Sequence, residues 1–449
     1  MKVLLDKDYQ LFYEALKAEA PTAIRLNPRK KNQLPLPKYS KESIPWCSTG
    51  FTLNSRPIFT LDPSFHAGTY YVQEPSSMFL EQVIKQLLAD RTGLKILDLC
   101  GAPGGKSTHI LSLIDQSSLL VSNETIKTRT GILRNNLERW GEPNAVVTSN
   151  DPSDFKILRG FFDLILVDAP CSGEGLFRKD PAAIDHWSVD HTEFCASRQH
   201  RILEGVWPAL KEGGLLVYST CTFNKTENEK NLLELKNLGA STVKLKINAD
   251  WNVQETNEGG MSAYRFYPHR VAGEGFFMSV VKKTEPTEAA VLTLKRTDKT
   301  ITVKESKAFS KEHLENNPED WILNSQITES GTVLEFYPAN LERDMKLFRE
   351  YFRVHSAGTL AGTCIKEKFI PHHGLAFSTA LRQNAFNAIE LSHHDALRYL
   401  KKDNLMPETE KRGLVRLTYG GDGIGWGNVL ENRMNNMLPT SQRILMDLQ

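Results

Sequence analysis

Between about residues 73 and 283, short apolar runs alternate with segments of helical periodicity. The runs predict strands at residues 95–99, 119–123, 144–148, 162–168, 214–219 and 276–281. The segments between them predict helices at residues 76–90, 105–115, 127–140, 192–210 and 226–237. Such alternation is typical of a mostly parallel α/β sheet with helices on both faces, where ligands bind outside the carboxyl ends of the strands. Polar residues that directly follow these strands are therefore the candidates for a functional site.

Composition and periodicity divide the 449 residues into four regions. Residues 1–72 are expected to form an α-leaning cap, and residues 73–283 the α/β domain. Residues 284–350 are expected to be a linker with a small mixed segment, and residues 351–449 a β-rich tail. A basic stretch at residues 25–31 is interpreted as either a solvated loop or an RNA contact.

Nothing in the sequence indicates export or a membrane. The chain is 40% hydrophobic with a formal net charge of +1, which is ordinary for a protein with buried cores. No apolar run is long enough to span a bilayer, and charges break up the first residues. The six cysteines include no C-x-x-C pair. We expect a cytoplasmic monomer with reduced thiols, no metal site and no membrane partner.

The turn after the strand at residues 95–99 is rich in glycine. It consists of Cys100, Gly101, Ala102, Pro103, Gly104, Gly105 and Lys106. One interpretation is the phosphate-binding loop of a P-loop-like NTPase, and the other is a loop beside a nucleoside cofactor. The NTPase pattern needs a glycine five positions before Gly105, where Cys100 stands. The loop is therefore one residue too short for the first interpretation.

Acidic residues after the next two strands favour the nucleoside interpretation. Glu124 follows the run at 119–123, where a carboxylate accepts hydrogen bonds from ribose hydroxyls. Asp151 follows the run at 144–148, within reach of an adenine amino group. This arrangement is typical of enzymes that use S-adenosylmethionine, which we expect as the cofactor.

Two cysteines lie just past predicted strands. Cys171 comes three residues after Asp168, and Cys221 follows the run at 214–219. Because the carboxyl ends of parallel strands meet at one edge, both thiols are candidates for one site. A thiolate that adds to carbon 6 of cytosine makes carbon 5 nucleophilic toward a methyl donor. That scheme needs a nucleophilic cysteine, a hydrogen-bond partner for ring nitrogen 3 and a base.

These motifs resemble those of the Nop/Sun family of RNA cytosine-5 methyltransferases. The segments that carry the resemblance are residues 97–106, 168–173 and 219–222, with supporting matches at 71–78, 177–181, 227–229, 268–269 and 275–277. Residues 45–47 and the tail around Trp426 are most similar to bacterial members that act on small-subunit ribosomal RNA.

The resemblance implies a Rossmann-like methyltransferase sheet with a small N-terminal cap that contributes to RNA binding and a C-terminal PUA-like RNA-binding domain. It implies that Cys221 adds to the base and that Cys171 helps to expel the product, as the base or through a neighbouring water. It implies that Asp168 contacts ring nitrogen 3 near the cofactor. It also implies that Lys106 and Arg178 contact phosphate or the active site. The cofactor-binding residues implied are Cys100, Gly101, Ala102, Pro103, Gly104, Gly105, Lys106, Glu124, Asp151 and Asp168.

The implied substrate is RNA, either 16S rRNA or the small ribosomal subunit. A cytosine inside a helix cannot be reached, so the target must be flipped out or already unpaired. A tRNA substrate is an alternative. A P-loop-like NTPase and a catalytically silent RNA-binding protein are alternatives of a different class, and the intact cysteines and cofactor loop argue against the silent protein.

Overall fold

The computed structural model describes residues 1–32, 36–180, 182–294, 309–366 and 368–448. The N-terminal module is built around a small antiparallel sheet with strand order β2-β3-β1-β4. Its strands are β1 (Thr22–Leu26), β2 (Lys41–Ser43), β3 (Gly50–Leu53) and β4 (Tyr70–Val72), and its helices are α1 (Lys2–Leu5), α2 (Tyr9–Lys17) and α3 (Pro63–His66). The module contains the expected helices, but its sheet was not anticipated, because strands of three to five residues are too short to show a clear alternation.

A large mixed sheet forms the centre of the molecule. Its strands up to residue 283 are β5 (Lys95–Asp98), β6 (Leu119–Asn123), β7 (Ala145–Thr148), β8 (Phe162–Asp168), β9 (Leu210–Thr220), β10 (Ala240–Thr242), β11 (Gln254–Glu258), β12 (Met261–Phe266) and β13 (Phe276–Lys283). The helices that accompany them are α4 (Leu80–Leu87), α5 (Gly105–Leu113), α6 (Lys127–Trp140), α7 (Ala182–Asp185), α8 (Val189–Val206) and α9 (Glu229–Asn237).

The C-terminal part is rich in strands, and apart from β16 its strands fall into two further small sheets among the described residues. The first has the order β14-β15-β17-β18 and the second β19-β20-β21-β22. The elements are β14 (Trp321–Thr328), β15 (Gly331–Pro338), α10 (Glu342–Tyr351), β16 (Val354–Ala357), β17 (Thr359–Ile365), β18 (Lys368–Pro371), β19 (Asn387–Glu390), α11 (His393–Lys401), β20 (Gly413–Tyr419), β21 (Asp422–Val429) and β22 (Met434–Asn436). The middle of the predicted linker, residues 295–308, lies outside the described residues.

The order of the central sheet is β11-β12-β13-β9-β8-β5-β6-β7-β16, and β10 pairs with β13. Strands β9, β8, β5, β6 and β7 are parallel, and the strands that flank them are antiparallel. The predicted α/β fold is confirmed, with most element ends within a few residues of those expected. Sequence reasoning missed β10, the β11–β12 hairpin and β16.

Strand β16 closes the sheet edge beside β7, although more than 200 residues separate them in the chain. Backbone hydrogen bonding continues past the strand, since Ser149 N donates to Arg353 O at 3.0 Å. The rings of Phe155 and Phe352 lie 5.0 Å apart in the same buried cluster. Residues 342–357 thus belong to the core of the central sheet, and a cut at residue 350 would expose the edge of β7. In the described part of the chain, no helix is long and apolar enough to cross a membrane.

The basic stretch at residues 25–31 is only partly exposed, and neither of its two interpretations was right for its buried cations, Arg25 and Lys30. Arg25 is fully buried, and its guanidinium donates to Gln73 Oε1 (2.9 Å), to Thr108 Oγ1 (2.6 Å) and to Ser112 Oγ (3.1 Å). Lys30 is buried too, and its Nζ donates to the carbonyl of Phe377 at 2.5 Å. These cations join the N-terminal module to α5 and to the C-terminal part.

We predict that Arg25→Ala destabilises the protein by about 2 to 3 kcal/mol, because it leaves several buried acceptors without their charged donor. Urea unfolding should show a lower midpoint with an unchanged slope. The matched control is Arg56→Ala, an exposed arginine of the same module, which should change stability by no more than about 0.5 kcal/mol. Equal effects of the two substitutions would contradict the assigned role of Arg25.

Candidate active site

The two cysteines at strand ends come together at one point. Asp168 of β8 stands opposite Ser219 of β9, so the two parallel strands end in register. Cys171 and Cys221 follow these ends, and their Sγ atoms lie 3.1 Å apart. The N–H of Gly175 donates to the carbonyl of Cys221 at 2.8 Å, which ties the two loops together. At this distance both thiols can contact the same substrate atom, and each can hydrogen-bond to the other.

Asp168 lies beside this pair with both carboxylate oxygens engaged. Ser219 Oγ donates to Oδ1 and Lys106 Nζ to Oδ2, each at 2.7 Å. Burial lowers the pKa of Lys106, but the charge of Asp168 and its hydrogen bond outweigh that effect and the net pKa is raised. Lys106 therefore stays charged and neutralises the carboxylate next to the thiols.

A buried carboxylate, Glu227, holds both cysteine loops. It accepts hydrogen bonds from the backbone N–H of Ser172 (2.9 Å), from Gln199 Nε2 (2.8 Å) and from Asn224 Nδ2 (2.7 Å). Ser172 directly follows Cys171, and Asn224 comes three residues after Cys221. Glu227 therefore fixes the spacing of the two thiols. Sequence analysis counted it only as part of a supporting motif.

A second buried carboxylate, Glu174, acts on the loop after Cys221. Its Oε2 accepts from the N–H groups of Phe223 (2.6 Å) and Asn224 (3.0 Å), and its Oε1 accepts from Trp187 Nε1 (3.0 Å). No sequence signal identified Glu174, because a single glutamate after a glycine has the pattern of an exposed loop.

The environment of Cys171 keeps its thiol protonated. Its contact with Cys221, its burial and the negative charge of Glu227 all raise the pKa of Cys171 well above the usual value. At neutral pH the Cys171 sulfur therefore carries its proton.

A cavity of about 850 Å³ opens beside the cysteines at the carboxyl ends of the parallel strands. Its walls contain seven of the predicted site residues, namely Cys100, Ala102, Glu124, Asp151, Asp168, Cys171 and Cys221. The other five predicted residues do not line it and form the turn behind it, namely Gly101, Pro103, Gly104, Gly105 and Lys106. The cofactor residues predicted from the sequence therefore form two groups, those that line the cavity and those in the turn behind it.

The glycines of this turn allow a close approach to the sheet. A Cβ on Gly101 would lie 2.3 Å from Ser122 Oγ, and Gly104 has a φ of +116° at the start of α5. Helix α6 fixes the turn, since Arg129 donates to the carbonyl of Ala102 at 2.8 Å and Asn136 to that of Pro103 at 2.7 Å.

The groups around the cavity fit S-adenosylmethionine. Its volume lies within the range of small-molecule pockets. Glu124 and Asp151 present carboxylates that can accept from hydroxyl and amino groups, although each also caps a local backbone N–H. Behind the turn, Asp98 Oδ1 is buried without a partner, and burial raises the pKa of Asp98 to about 7.

Arg178 has a structural role. Its guanidinium donates to the carbonyls of Ala18 (2.9 Å), Glu19 (2.7 Å) and Gly273 (2.7 Å), which ties the end of α2 to the loop before β13. Pro181, the last residue of the 177–181 match, lies outside the described residues.

A buried group of possible metal ligands lies away from the cavity. Cys47 Sγ and His109 Nε2 lie 3.1 and 3.2 Å from Glu81 Oε2, and Lys85 Nζ lies 2.5 Å from Glu81 Oε1. Burial raises the pKa of Cys47 to about 12 and lowers that of His109 to about 4. Because Lys85 already neutralises the carboxylate, we interpret the group as a hydrogen-bonded part of the core.

Comparison with known proteins agrees with this architecture. The family model described as 16S rRNA methyltransferase RsmB/F matches residues 85–282. The model of the N-terminal domain of 16S rRNA methyltransferase RsmF matches residues 1–75, and that of the methyltransferase RsmF PUA domain matches residues 386–444.

Among solved structures, a methyltransferase homolog protein from Pyrococcus horikoshii has 29% identity and a TM-score of 0.51, and the match covers 63% of this chain and 99% of that one. NSun6 from the same organism, solved with SFG, has a TM-score of 0.54 over 63% of this chain and 96% of that one. At 20% identity, NSun6 supports the fold alone.

Curated relatives match over almost the whole chain. Ribosomal RNA small subunit methyltransferase F of Shewanella loihica is 30% identical over 89% of this chain and 83% of its own length. The protein of the same name from Aliivibrio fischeri (strain MJ11) is 30% identical, over 95% of this chain and 92% of its own length. That from Vibrio parahaemolyticus is 32% identical, over 88% of this chain and 84% of its own length. With matches of this extent, the chain belongs to the ribosomal RNA small subunit methyltransferase F family.

Proposed function

We propose that this protein methylates carbon 5 of a cytidine in 16S rRNA through a covalent adduct between Cys221 and carbon 6. Its family makes it an S-adenosylmethionine-dependent RNA cytosine-5 methyltransferase. The adduct, the residue roles and the choice of RNA are the proposal. The observation that carries it is the 3.1 Å contact between Cys171 and Cys221 beside the cofactor cavity.

In the first step, Cys221 enters as a thiolate and its sulfur bonds to carbon 6 of the flipped cytosine. The π electrons shift from carbons 5 and 6 to carbons 4 and 5, and those between carbon 4 and nitrogen 3 move to nitrogen 3, which takes up a proton from water. The Asp168 carboxylate accepts a hydrogen bond from that protonated nitrogen, while Lys106 balances the charge of Asp168. S-Adenosylmethionine, when bound, supplies an electrophilic methyl group to carbon 5.

In the last step, carbon 5 loses its proton to a water, the bond between sulfur and carbon 6 breaks with its electrons returning to the Cys221 sulfur, and ring nitrogen 3 gives its proton back to water. The Cys171 thiol, with its raised pKa, donates a hydrogen bond to the departing Cys221 sulfur at 3.1 Å. Cys171 thereby helps to expel the product. Glu227 and Glu174 keep the thiols at this separation by holding the loops that follow them.

The proposal also covers the RNA substrate, the region that binds it, the oligomeric state and the cellular location. The relatives' names support small-subunit ribosomal RNA as the substrate. The C-terminal PUA-like region would grip RNA outside the active site, and the protein would act as a monomer in the cytoplasm.

Substitution of each cysteine should separate the two chemical steps. Cys221→Ala should abolish methylation and form no covalent complex, because the first bond cannot form. Cys171→Ala should still attack and methylate but should release product slowly, so that a protein–RNA adduct survives denaturing electrophoresis. The double variant should give no adduct. An adduct with Cys221→Ala but not with Cys171→Ala would reverse the roles, and full activity of both variants would refute the covalent route.

Removal of the Glu124 carboxylate should weaken cofactor binding. We predict that Glu124→Ala lowers the affinity for S-adenosylhomocysteine by about tenfold or more, because a charged acceptor contributes about 1.5 to 3 kcal/mol. Calorimetry with wild type, Glu124→Ala and the exposed control Glu193→Ala would show it. Mg²⁺-dependent ATP binding by the wild type, without binding of S-adenosylhomocysteine, would favour the NTPase instead.

A further inference from the structure

A second cavity, of about 690 Å³, lies between α2 and the loops that follow the two cysteines. Aromatic rings make up much of its lining, and we call it the aromatic pocket. Its aromatic residues are Tyr9, Phe12, Tyr13, Phe177, Trp187 and Phe223.

One short turn separates the aromatic pocket from the cavity that holds the thiols. Leu176 lines the cavity with Cys171 and Cys221, and the next residue, Phe177, lines the aromatic pocket. Asn224, three residues after Cys221, also lines the pocket. A nucleotide next to a base held at the thiols would therefore lie within reach of this turn.

The rings of the pocket divide into a buried floor and an open rim. Phe12 and Phe223 are 2% exposed and pack edge to face with centroids 5.0 Å apart. Tyr13 is 44% and Trp187 37% exposed, and Tyr13 stacks on Tyr9 with an interplanar angle of 17°. Large exposed rings around a cavity offer flat apolar faces to a planar ligand, which would displace the exposed Lys17 side chain from the face of Tyr13.

Positive charge lies at the same rim. Lys17 Nζ is 4.0 Å from the centroid of the Tyr13 ring, and Lys225 lines the pocket. Both lysines are exposed, and their ion pairs within the described part of the chain are with surface carboxylates, Glu14 and Glu258. Rings for stacking together with cations for phosphate are the combination that binds single-stranded nucleic acid.

The pocket is also linked to the nucleophile loop. Trp187 Nε1 donates to Glu174 Oε1, and Oε2 of the same carboxylate accepts from the backbone N–H of Phe223. Phe223 stands two residues after Cys221. A ligand stacked on Trp187 would therefore hold the carboxylate that positions this loop.

We propose that the aromatic pocket binds an unpaired nucleobase next to the target cytidine, stacked against Tyr13 and Trp187. This inference rests on the proposed function, because it takes the ligand to be the RNA strand that enters the active site. Every base offers a π face, so the pocket would fix the path of the strand with little selection for sequence.

The test combines protein variants with missing bases. The probe is a short single-stranded RNA with one central cytidine flanked by uridines, and each flanking position is made abasic in turn. Affinity is measured by fluorescence anisotropy at one fixed salt concentration. The protein variants are Tyr13→Ala, its ring-preserving control Tyr13→Phe, and Leu11→Ala, an exposed apolar control on the same helix that does not line the pocket.

In the wild type, one abasic position should weaken binding about tenfold, as the loss of a single base–aromatic stack does. In Tyr13→Ala the same abasic position should cost less than about threefold. Tyr13→Phe and Leu11→Ala should behave as the wild type, and calorimetry should show unchanged cofactor affinity in every variant.

Equal abasic penalties in the wild type and in Tyr13→Ala at every position would overturn the proposal. It would also be overturned if Tyr13→Ala weakened binding to the assembled small subunit but not to this RNA, because the pocket would then receive a protein. Since the readout is affinity, it does not depend on methylation. If the protein methylated no RNA, the proposed function would be refuted. The comparison of abasic RNAs would still show whether the aromatic pocket binds a base.

Discussion

The chemistry of this protein depends on two neighbouring parallel strands that end in register. Asp168 and Ser219 stand opposite each other on β8 and β9, and a 2.7 Å hydrogen bond joins their side chains. Each strand then turns into a loop that carries a cysteine within three residues. Buried carboxylates that hold these loops remove the freedom that two adjacent turns would otherwise have. The sulfur contact is therefore a property of the sheet, and the substrate does not have to create it.

The flanking parts of the chain are built into this framework. Arg25 links the N-terminal sheet to α5, directly behind the glycine-rich turn. The carboxylate of Asp422, in the last sheet, accepts from the backbone N–H groups of Lys31 and Asn32 and from Thr69 Oγ1. Strand β16 completes the central sheet itself. An RNA gripped by the outer parts would thus be held in a fixed position relative to the thiols.

The sequence alone predicted those features of the structure that a local pattern of residues indicates. The long apolar runs predicted the α/β sheet. The residues that follow them pointed to both thiols, to Asp168 and to several residues that line the cavity beside the thiols. The strands β1 to β4 were missed because three to five residues are too few to show a clear alternation, and the edge strand β16 was missed because its partner β7 lies more than 200 residues away in the chain. The burial of Arg25 was missed for a similar reason, since an isolated basic run has the composition of a surface loop. Glu174 depends on tertiary partners for its role, and no periodicity reveals such partners.

The most direct test of the central claim is to trap the covalent intermediate. An RNA substrate carrying 5-fluorocytidine at the target position should accept attack and methyl transfer, but it has no proton on carbon 5 to lose, so the adduct cannot collapse. Mass spectrometry of the digested complex should place the methylated, fluorinated nucleotide on Cys221. A nucleotide attached to Cys171 would contradict the assigned roles. Methylation of the corresponding cytidine RNA, with no protein-bound nucleotide on the fluorinated one, would contradict the covalent mechanism itself.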